Sequence, residues 1–263
     1  MKTMFLKSIM RVLALLVLVA VPSVSQADVL RGDVDGNGKV SIGDVTALIN
    51  YLLTGVWPDE PVIPADGHEW VDLGLPSGTL WATCNVGANA PEERGDYFAW
   101  GETAPKNYYD WGTYKWCNGS STTLTKYCTS SSYGYNGFVD NKTELDPEDD
   151  AAYVNWGSSW RMPSLEQIVE LCENCTWTWT QRNGVNGRLV TGPNGNTMFL
   201  PAAGYRWDES LSSAGSYGCY WSRSLGSAAP YDAYGLGFYS GRVYWGSGNR
   251  RYRGFTVRAV RVS

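Results

Sequence analysis

From about Gly67 onward, the sequence consists of short aromatic and β-branched runs separated by turn-forming residues. Three Asn-Gly pairs, at 183–184, 186–187 and 194–195, predict tight turns, and no apolar periodicity lasts long enough for a helical bundle. The chain has 30 Gly, 13 Trp and 17 Tyr, which suits short strands with a hydrogen-bonding surface. The sequence therefore predicts a β-rich α+β domain of short strands and hairpins with one or two helices.

Charge and histidine content exclude several classes of function. The net charge of −5 and the pI near 5.0 argue against a nucleic-acid partner. His68 is the only histidine, so sites built from several histidines are excluded and histidine-dependent catalysis is disfavoured. No apolar run reaches the length of a membrane-spanning helix, so no transmembrane segment is expected.

Local patterns place the elements of the large domain. Ser164 followed by Gln167 is typical of a capping box and predicts a helix after Pro163. A short helix is predicted near Asp149–Tyr153, within otherwise irregular loops over 105–150. Strands are predicted at 69–73, 80–86, 176–180, 197–200, 218–221, 234–238, 242–245 and 255–260.

Six cysteines allow up to three disulfides in an oxidising compartment, with 15 pairings that the sequence does not distinguish. Cys172 and Cys175 form a CxxC motif that is also found in zinc sites and redox pairs. Because no second CxxC and no histidine pair accompany it, the motif is interpreted as structural.

Residues 33–44 carry oxygen-bearing side chains at the spacing of a calcium-binding loop. Oxygen ligands fall at positions 1, 3, 5, 9 and 12, and Gly38 at position 6 permits the sharp turn. Apolar residues at helical spacing follow, so the sequence predicts a loop and a helix that ends at Thr54–Gly55. The predicted Ca²⁺ ligands are the side chains of Asp33, Asp35, Asn37, Ser41 and Asp44 and the backbone carbonyl of Lys39.

This loop and helix, over residues 31–54, resemble the calcium repeat of type I dockerins. The resemblance includes Asp at position 12, where calmodulin-like loops have Glu, and the absence of a helix pattern before the loop. It implies calcium-dependent attachment to a cohesin-like receptor. Dockerins of this family usually carry two such repeats, whereas this chain has one.

The sequence predicts four segments with different roles. Residues 1–27 have the basic start, the apolar run and the small residues before the cleavage point of a signal peptide, so we expect a secreted, extracellular or cell-surface protein. Residues 28–55 form the calcium module, 56–66 a proline-bearing linker, and 67–263 the large domain.

Six motifs in the large domain, taken in order, resemble the Fibrobacter succinogenes major paralogous domain, common in surface and secreted proteins of gut Bacteroidetes. The resemblance implies a fold similar to C-type lectins and formylglycine-generating enzymes, which displays ligands more often than it catalyses reactions. The cysteine pair of those enzymes is not matched, since only Cys219 lies in the corresponding stretch. The motifs span 70–87, 95–103, 160–164, 175–177, 199–206 and 220–222.

Binding is favoured over catalysis. No pair of acids is singled out as a glycosidase would require, and His68 is expected to be a surface residue. Trp and Tyr combine contact area with a hydrogen-bonding edge, which suits both sugars and proteins, although many Trp residues in the motifs are expected in the core. We therefore expect an adhesin- or lectin-like protein that binds a glycan or protein. The alternative is a glycoside hydrolase or another component of a polysaccharide-degrading assembly.

The last 42 residues, 222–263, hold seven Arg and one acid, Asp232, which predicts a basic surface on an acidic protein. In the strand-like parts, apolar framework positions such as Leu236 and Phe238 alternate with polar ones, so one face is expected to bind ligand. Val243 and Trp245 are also assigned to the framework. The candidate ligand-binding residues are Tyr231, Asp232, Tyr239, Arg242, Tyr244, Trp245, Ser247, Asn249, Arg251, Tyr252 and Arg253.

The same stretch contains no Lys, Glu, Gln or Met, whereas the density of these residues in 1–221 predicts about five. One interpretation is a diversity-generating retroelement, which randomises adenines in AAC or AAT codons and does not produce these residue types. The variable positions would then include Gly235, Gly237 and Arg251. The other interpretation is an accidental bias in a Gly- and Ser-rich hairpin, and the two are nearly balanced.

We predict that the mature chain binds one Ca²⁺ and that binding orders residues 33–53, because an isolated helix of this length is marginal in water. Isothermal titration calorimetry should detect this binding. The double variant Asp33→Ala/Asp44→Ala should lose it, whereas Asp28→Ala/Asp59→Ala, which removes as many charges outside the loop, should retain it. A wild-type chain without a calcium signal would contradict the prediction.

Overall fold

The computed structural model describes residues 67–246 and 248–261, within the second of two units into which the chain divides at Ile63/Pro64. The predicted signal peptide, the calcium module with its six ligands, the linker and Ser247 lie outside the described residues. The described chain has mostly short strands and few helices, which confirms the predicted α+β class. Among these residues, no helix has the length and hydropathy that crossing a membrane requires.

A four-stranded antiparallel sheet joins the two ends of the described domain. It comprises β1 (Trp70–Asp72), β2 (Leu80–Ala82), β3 (Trp160–Arg161) and β13 (Val260–Arg261), in the order β1-β2-β13-β3. The predicted strand at 255–260 is interrupted. Phe255 and Thr256 make isolated bridges to Phe98 and Tyr220 instead, and the side chains of Phe255, Val257 and Ala259 are buried in one core cluster.

Two α-helices and two 3-10 turns interrupt the loops. The 3-10 turns are Tyr135–Gly137 and Pro147–Asp149, and α1 (Ala151–Trp156) begins where the Asp150 carboxylate accepts bonds from two backbone amides. The helix α2 (Leu165–Asn174) follows Ser164, whose side chain and that of Gln167 form the predicted capping box. Both helices are confirmed, since local capping signals specify where they begin.

A three-stranded meander follows α2. Its strands are β4 (Thr176–Arg182), β5 (Val185–Thr191) and β6 (Thr197–Pro201), and its turns contain two of the three predicted Asn-Gly pairs. The turn predicted at Asn186–Gly187 is wrong. Gly187 pairs with Thr180 on one side and with Pro201 on the other, and a Cβ there would lie 2.3 Å from the Leu200 carbonyl oxygen. Glycine is needed here for close approach within a strand.

The C-terminal third forms the sheet that carries the candidate site. A hairpin of β7 (Tyr205–Trp207) and β8 (Ser210–Ser212) precedes it. The sheet itself comprises β9 (Tyr217–Leu225), β10 (Asp232–Tyr239), β11 (Arg242–Trp245) and β12 (Asn249–Arg250), with β10 paired antiparallel to the other three.

Aromatic side chains fill the core. Trp81, Trp100, Trp160 and Trp221 are at most 1% exposed, as the sequence predicts, whereas Trp177 and Trp179 are only partly buried against the core. The indole Nε1 of Trp100 donates to the Ser222 carbonyl and that of Trp221 to the Phe98 carbonyl, both at 2.8 Å. The polar edges of these rings thereby satisfy loop and strand carbonyls inside the core.

All six cysteines are free thiols, so none of the disulfides that the sequence allows forms in this structure. The thiols are distributed over separate regions: Cys219 lies in one core cluster, Cys172 and Cys175 pack against a second, and Cys117 packs against a third. Burial raises the pKa of Cys172 to about 12 and that of Cys175 to about 11, so this CxxC pair is protonated at neutral pH. This agrees with the interpretation of the CxxC motif as structural.

Arg251, predicted to bind ligand, is instead fully buried. Its guanidinium donates to the Tyr114 hydroxyl (2.8 Å) and to the carbonyls of Lys126 (3.0 Å), Tyr127 (3.0 Å) and Pro230 (2.7 Å). Arg258 is also buried, against Asn85 and the carbonyls of Ala82 and Thr83. The basic surface predicted for 222–263 is therefore smaller than its seven arginines indicate, because two of them serve the interior.

We predict that Arg251→Met lowers the free energy of unfolding by about 3 kcal/mol or more, because it leaves three buried carbonyls without their donor. Urea denaturation followed by tryptophan fluorescence measures the change. The matched variant Arg242→Met, at an exposed arginine of the same stretch, should change stability by no more than about 0.5 kcal/mol. Equal stability of the two variants would refute the structural role of Arg251.

Candidate ligand-binding site

A cavity of about 260 Å³ opens beside the sheet formed by β9, β10 and β11. Of the predicted ligand-binding residues, Tyr244, Asn249 and Arg253 line it. The residues that sequence analysis missed come from β7, the loop after β8, β9, β10 and the chain after β12. These are Tyr205, Ser213, Tyr217, Cys219, Leu236, Gly237 and Phe255.

Strand register brings the cavity walls together. Gly237 of β10 pairs with Cys219 of β9 on one side and with Tyr244 of β11 on the other. Two residues further along β10, Tyr239 pairs with Tyr217. Opposed residues on antiparallel strands share a face, so these pairings place Tyr217, Tyr239 and Tyr244 on neighbouring parts of the sheet. The strand predicted at 218–221 lies next to Tyr217, but the sequence did not show which strand it pairs with.

The tyrosine rings form one contiguous aromatic surface. Tyr217 and Tyr239 are stacked, with ring centroids 5.9 Å apart and planes 12° from parallel, and Tyr217 lies 6.1 Å from Tyr244. Desolvation raises the pKa of Tyr217, so its hydroxyl stays neutral at physiological pH. The surface therefore offers apolar ring faces and hydroxyl edges, but no negative charge.

Gly237 makes this arrangement sterically feasible. A Cβ at this position would lie 2.4–2.5 Å from three atoms of the Tyr244 side chain. The glycine leaves space for the Tyr244 ring directly above the β10 backbone.

Arg253 lies between aromatic side chains at the cavity. Its guanidinium carbon is 5.6 Å from the Tyr205 ring centroid and 5.8 Å from that of Trp207. Its Nε is buried without a hydrogen-bond partner. Tyr205 in turn packs edge-on against Phe255, with centroids 6.2 Å apart. The cavity thus contains one cationic side chain among neutral walls.

The other predicted ligand-binding residues in the described ranges are either exposed on the sheet or engaged in contacts outside the cavity. Tyr239, Arg242 and Trp245 are exposed on the sheet that forms the cavity wall, so the assignment of Trp245 to the buried framework is wrong. Asp232 is paired with Arg250 at 3.0 Å, and Arg250 lies 4.3 Å from the Tyr231 ring. Tyr252 packs against Trp111, outside the cavity.

As predicted, Leu236 and Phe238 are buried, and Val243 is half-buried.

The buried carboxylates of the described domain have structural partners. Asp150 caps α1 and also accepts from the Met162 amide, and Asp149 accepts from the Tyr127 hydroxyl and from Lys126 at 2.6 Å. Glu102 pairs with Lys106 at 2.9 Å. His68 stacks on Trp156, with ring centroids 3.9 Å apart. None of these groups lines the cavity.

No cluster of three or more His, Cys, Asp or Glu side chains within the described ranges could hold a metal ion. The predicted metal ligands lie outside those ranges, in 33–44. They offer oxygen donors only, a set that suits a hard cation such as Ca²⁺.

A second depression, of about 340 Å³, lies along α2 and is lined by residues of that helix alone. Three glutamates contribute to it: Glu166, Glu170 and Glu173. Since a single element forms its whole lining, it does not enclose a ligand as the sheet-side cavity does. We therefore regard the cavity beside β9, β10 and β11 as the candidate site.

Comparison with known proteins identifies a family for the N-terminal part only. Residues 31–67 match the family model of the dockerin type I domain, and this range includes all six predicted calcium ligands. The match supports a calcium-binding module for assembly or attachment. No curated protein and no solved structure matches the chain.

We predict that Gly237→Ala destabilises the domain by about 1–3 kcal/mol, because the new methyl group and the Tyr244 ring compete for the same space. In a Tyr244→Ala background the same change should cost much less. A double-mutant cycle of urea unfolding free energies measures this coupling. Additive effects would show that the ring does not lie on Gly237.

Proposed function

We propose that this protein is an exported, non-enzymatic ligand-binding protein, adhesin- or lectin-like, whose large domain binds a glycan or protein in the sheet-side cavity. Its N-terminal module attaches the protein through calcium, by pairing with a cohesin-like receptor. The observation that carries the proposal is the cavity itself, whose lining combines tyrosine rings from three strands with one arginine that has no hydrogen-bond partner at Nε.

The chemistry of the walls favours binding. Tyrosine provides a large, rigid contact surface together with a hydroxyl, and Arg and Tyr are common anchors at binding sites. The buried acids contribute to packing and capping away from the cavity, so the acid pair that glycoside hydrolysis needs is not among its walls. These features support recognition of a ligand without chemical change.

The fold and the motifs support the same proposal. An α+β domain of short strands, long loops and two α-helices is compatible with a C-type-lectin-like fold, which the resemblance to the Fibrobacter succinogenes major paralogous domain implies. In such a scaffold, loops and edge strands present the binding residues.

The match to dockerin type I favours a second candidate function. A protein with this module could be a component of a polysaccharide-degrading assembly, recruited through dockerin–cohesin pairing. A hydrolysis screen on the purified mature protein separates the two candidates. Turnover of a polysaccharide would favour the second, whereas glycan binding without turnover would favour the first.

Diversification by a retroelement stays a proposal, and the packing restricts where it could act. A Cβ at Gly235 would lie 2.4 Å from the Tyr220 carbonyl oxygen, and Arg251 is an interior donor, so neither position tolerates free variation. Among the positions that remain, Tyr239, Arg242, Tyr244 and Arg253 lie in or beside the cavity. Sequencing the 3′ end of this gene across one bacterial population tests the idea, because adenine-templated variation should cluster at these codons.

We predict that an array of glycans and proteins probed with the mature protein gives hits that Tyr244→Ala/Arg253→Ala abolishes, without lowering the melting temperature. Tyr135→Ala, at an exposed tyrosine outside the cavity lining, is the matched control and should retain the hits. Chelator should not affect binding by the large domain, since the predicted calcium ligands precede it. Hits that survive the double variant would place the binding site elsewhere.

A further inference from the structure

Neither arginine at the cavity, Arg253 or Arg242, forms a close ion pair with a carboxylate of the described residues. Arg253 has a buried Nε without a hydrogen bond, and neither Arg253 nor Arg242 has a carboxylate within 4 Å among the described residues. A guanidinium offers five N–H donors in a planar fork that matches the two oxygens of a carboxylate. The donors of Arg253 are therefore suited to an anionic acceptor supplied from outside the chain.

The surroundings do not supply that anion. None of the residues lining the cavity is acidic. Asp232 of β10 interacts with the Arg253 charge at longer range, but its carboxylate pairs directly with Arg250 at 3.0 Å. The chain as a whole carries a net charge of −5, so an arginine in the cavity that forms no ion pair with a described carboxylate is a local exception. A site of this kind favours anionic over neutral ligands.

The size and walls of the cavity favour a sugar ring. A volume of about 260 Å³ is below the range of about 300–1,000 Å³ that is typical of drug-sized ligands, so the cavity suits one ring of a longer ligand. Tyr205, Tyr217 and Tyr244 supply aromatic faces for the C–H face of a pyranose. Their hydroxyl groups, with Ser213 and Asn249, supply a polar lining for sugar hydroxyls.

We infer that the ligand is an acidic glycan, and that the cavity takes a carboxylate-bearing sugar residue with Arg253 as the partner of its carboxylate. Arg242, beside Tyr244, adds positive charge at the edge of the site. The ring of such a sugar combines an apolar face and a carboxylate in one compact unit. The aromatic walls of the cavity match the apolar face, and Arg253 matches the carboxylate. This inference rests on the proposed function, since it specifies the ligand of the same site.

The test uses the mature full-length protein and matched pairs of ligands in which the carboxylate of one member is a neutral methyl ester in the other. Oligogalacturonates are compared with their methyl esters, and sialylated glycans with theirs, by glycan array and isothermal titration calorimetry. Charge-assisted hydrogen bonds predict roughly 10- to 100-fold tighter binding of the acidic member of a pair. Raised salt should reduce this preference.

Three variants separate the contributions of charge, geometry and aromatic contact. Arg253→Gln should remove most of the acidic preference, and Arg253→Lys, which keeps the charge but not the fork, should restore part of it. Tyr244→Ala should weaken both members of a pair equally. Arg182→Gln, which removes an arginine from the end of β4, away from the cavity lining, is the control and should retain the preference. Melting temperatures show that each variant is folded.

The outcomes distinguish the inference from the function on which it rests. Equal binding of acidic and neutral glycans, with Arg253→Gln unchanged, would overturn the inference and leave a glycan-binding function. Binding of peptides through a terminal carboxylate, with no glycan bound, would overturn the inference and identify a protein ligand. Absence of any bound ligand on the arrays would overturn both.

Discussion

The fold depends on hydrogen bonds from buried arginine side chains to the backbone carbonyls of loops. Long stretches of the domain have no regular secondary structure, so their buried carbonyls need donors from elsewhere. Arg251 provides such donors to three carbonyls, and Arg188 links the Trp177 carbonyl of β4 to those of Tyr239 and Ser240. Each guanidinium thereby connects segments that are distant in sequence. Burial without a carboxylate partner is tolerated because carbonyl dipoles and aromatic rings surround the charge, as Trp100 does at 4.9 Å from Arg251.

These same links give the candidate site its rigidity. Arg188 holds the end of β10 and the turn that leads to β11, next to the strands that carry Tyr239 and Tyr244. Arg251 holds the chain that leads from β12 to Arg253. Arg253 itself is then oriented by aromatic contacts rather than by ion pairs. A cavity whose walls are held by interior hydrogen bonds loses little conformational entropy when it binds a ligand.

Glycine has a related role wherever an aromatic ring lies on a strand. Gly237 accommodates Tyr244, and a Cβ at Gly218 would lie 2.1 Å from the Phe238 ring. Their small size lets rings lie close to the backbone across paired strands. The high Gly and Tyr content of the chain therefore reflects the packing of aromatic rings on strands as well as the number of turns. It also limits which positions of this face can vary in sequence without loss of stability.

Local sequence alone determined the helix after Ser164, two of the hairpin turns and the α+β class, because caps, turns and short alternating runs act within a few residues. The oxygen spacing of the predicted calcium loop is also a local property, and the dockerin type I match over 31–67 agrees with it. Tertiary structure alone decided that Arg251 faces the interior and that Arg253 faces the cavity, since both outcomes depend on the surrounding loops. It also placed Asn186–Gly187 inside a strand and distributed Cys117, Cys172 and Cys219 over three separate parts of the core, because the pairing of distant segments sets both outcomes.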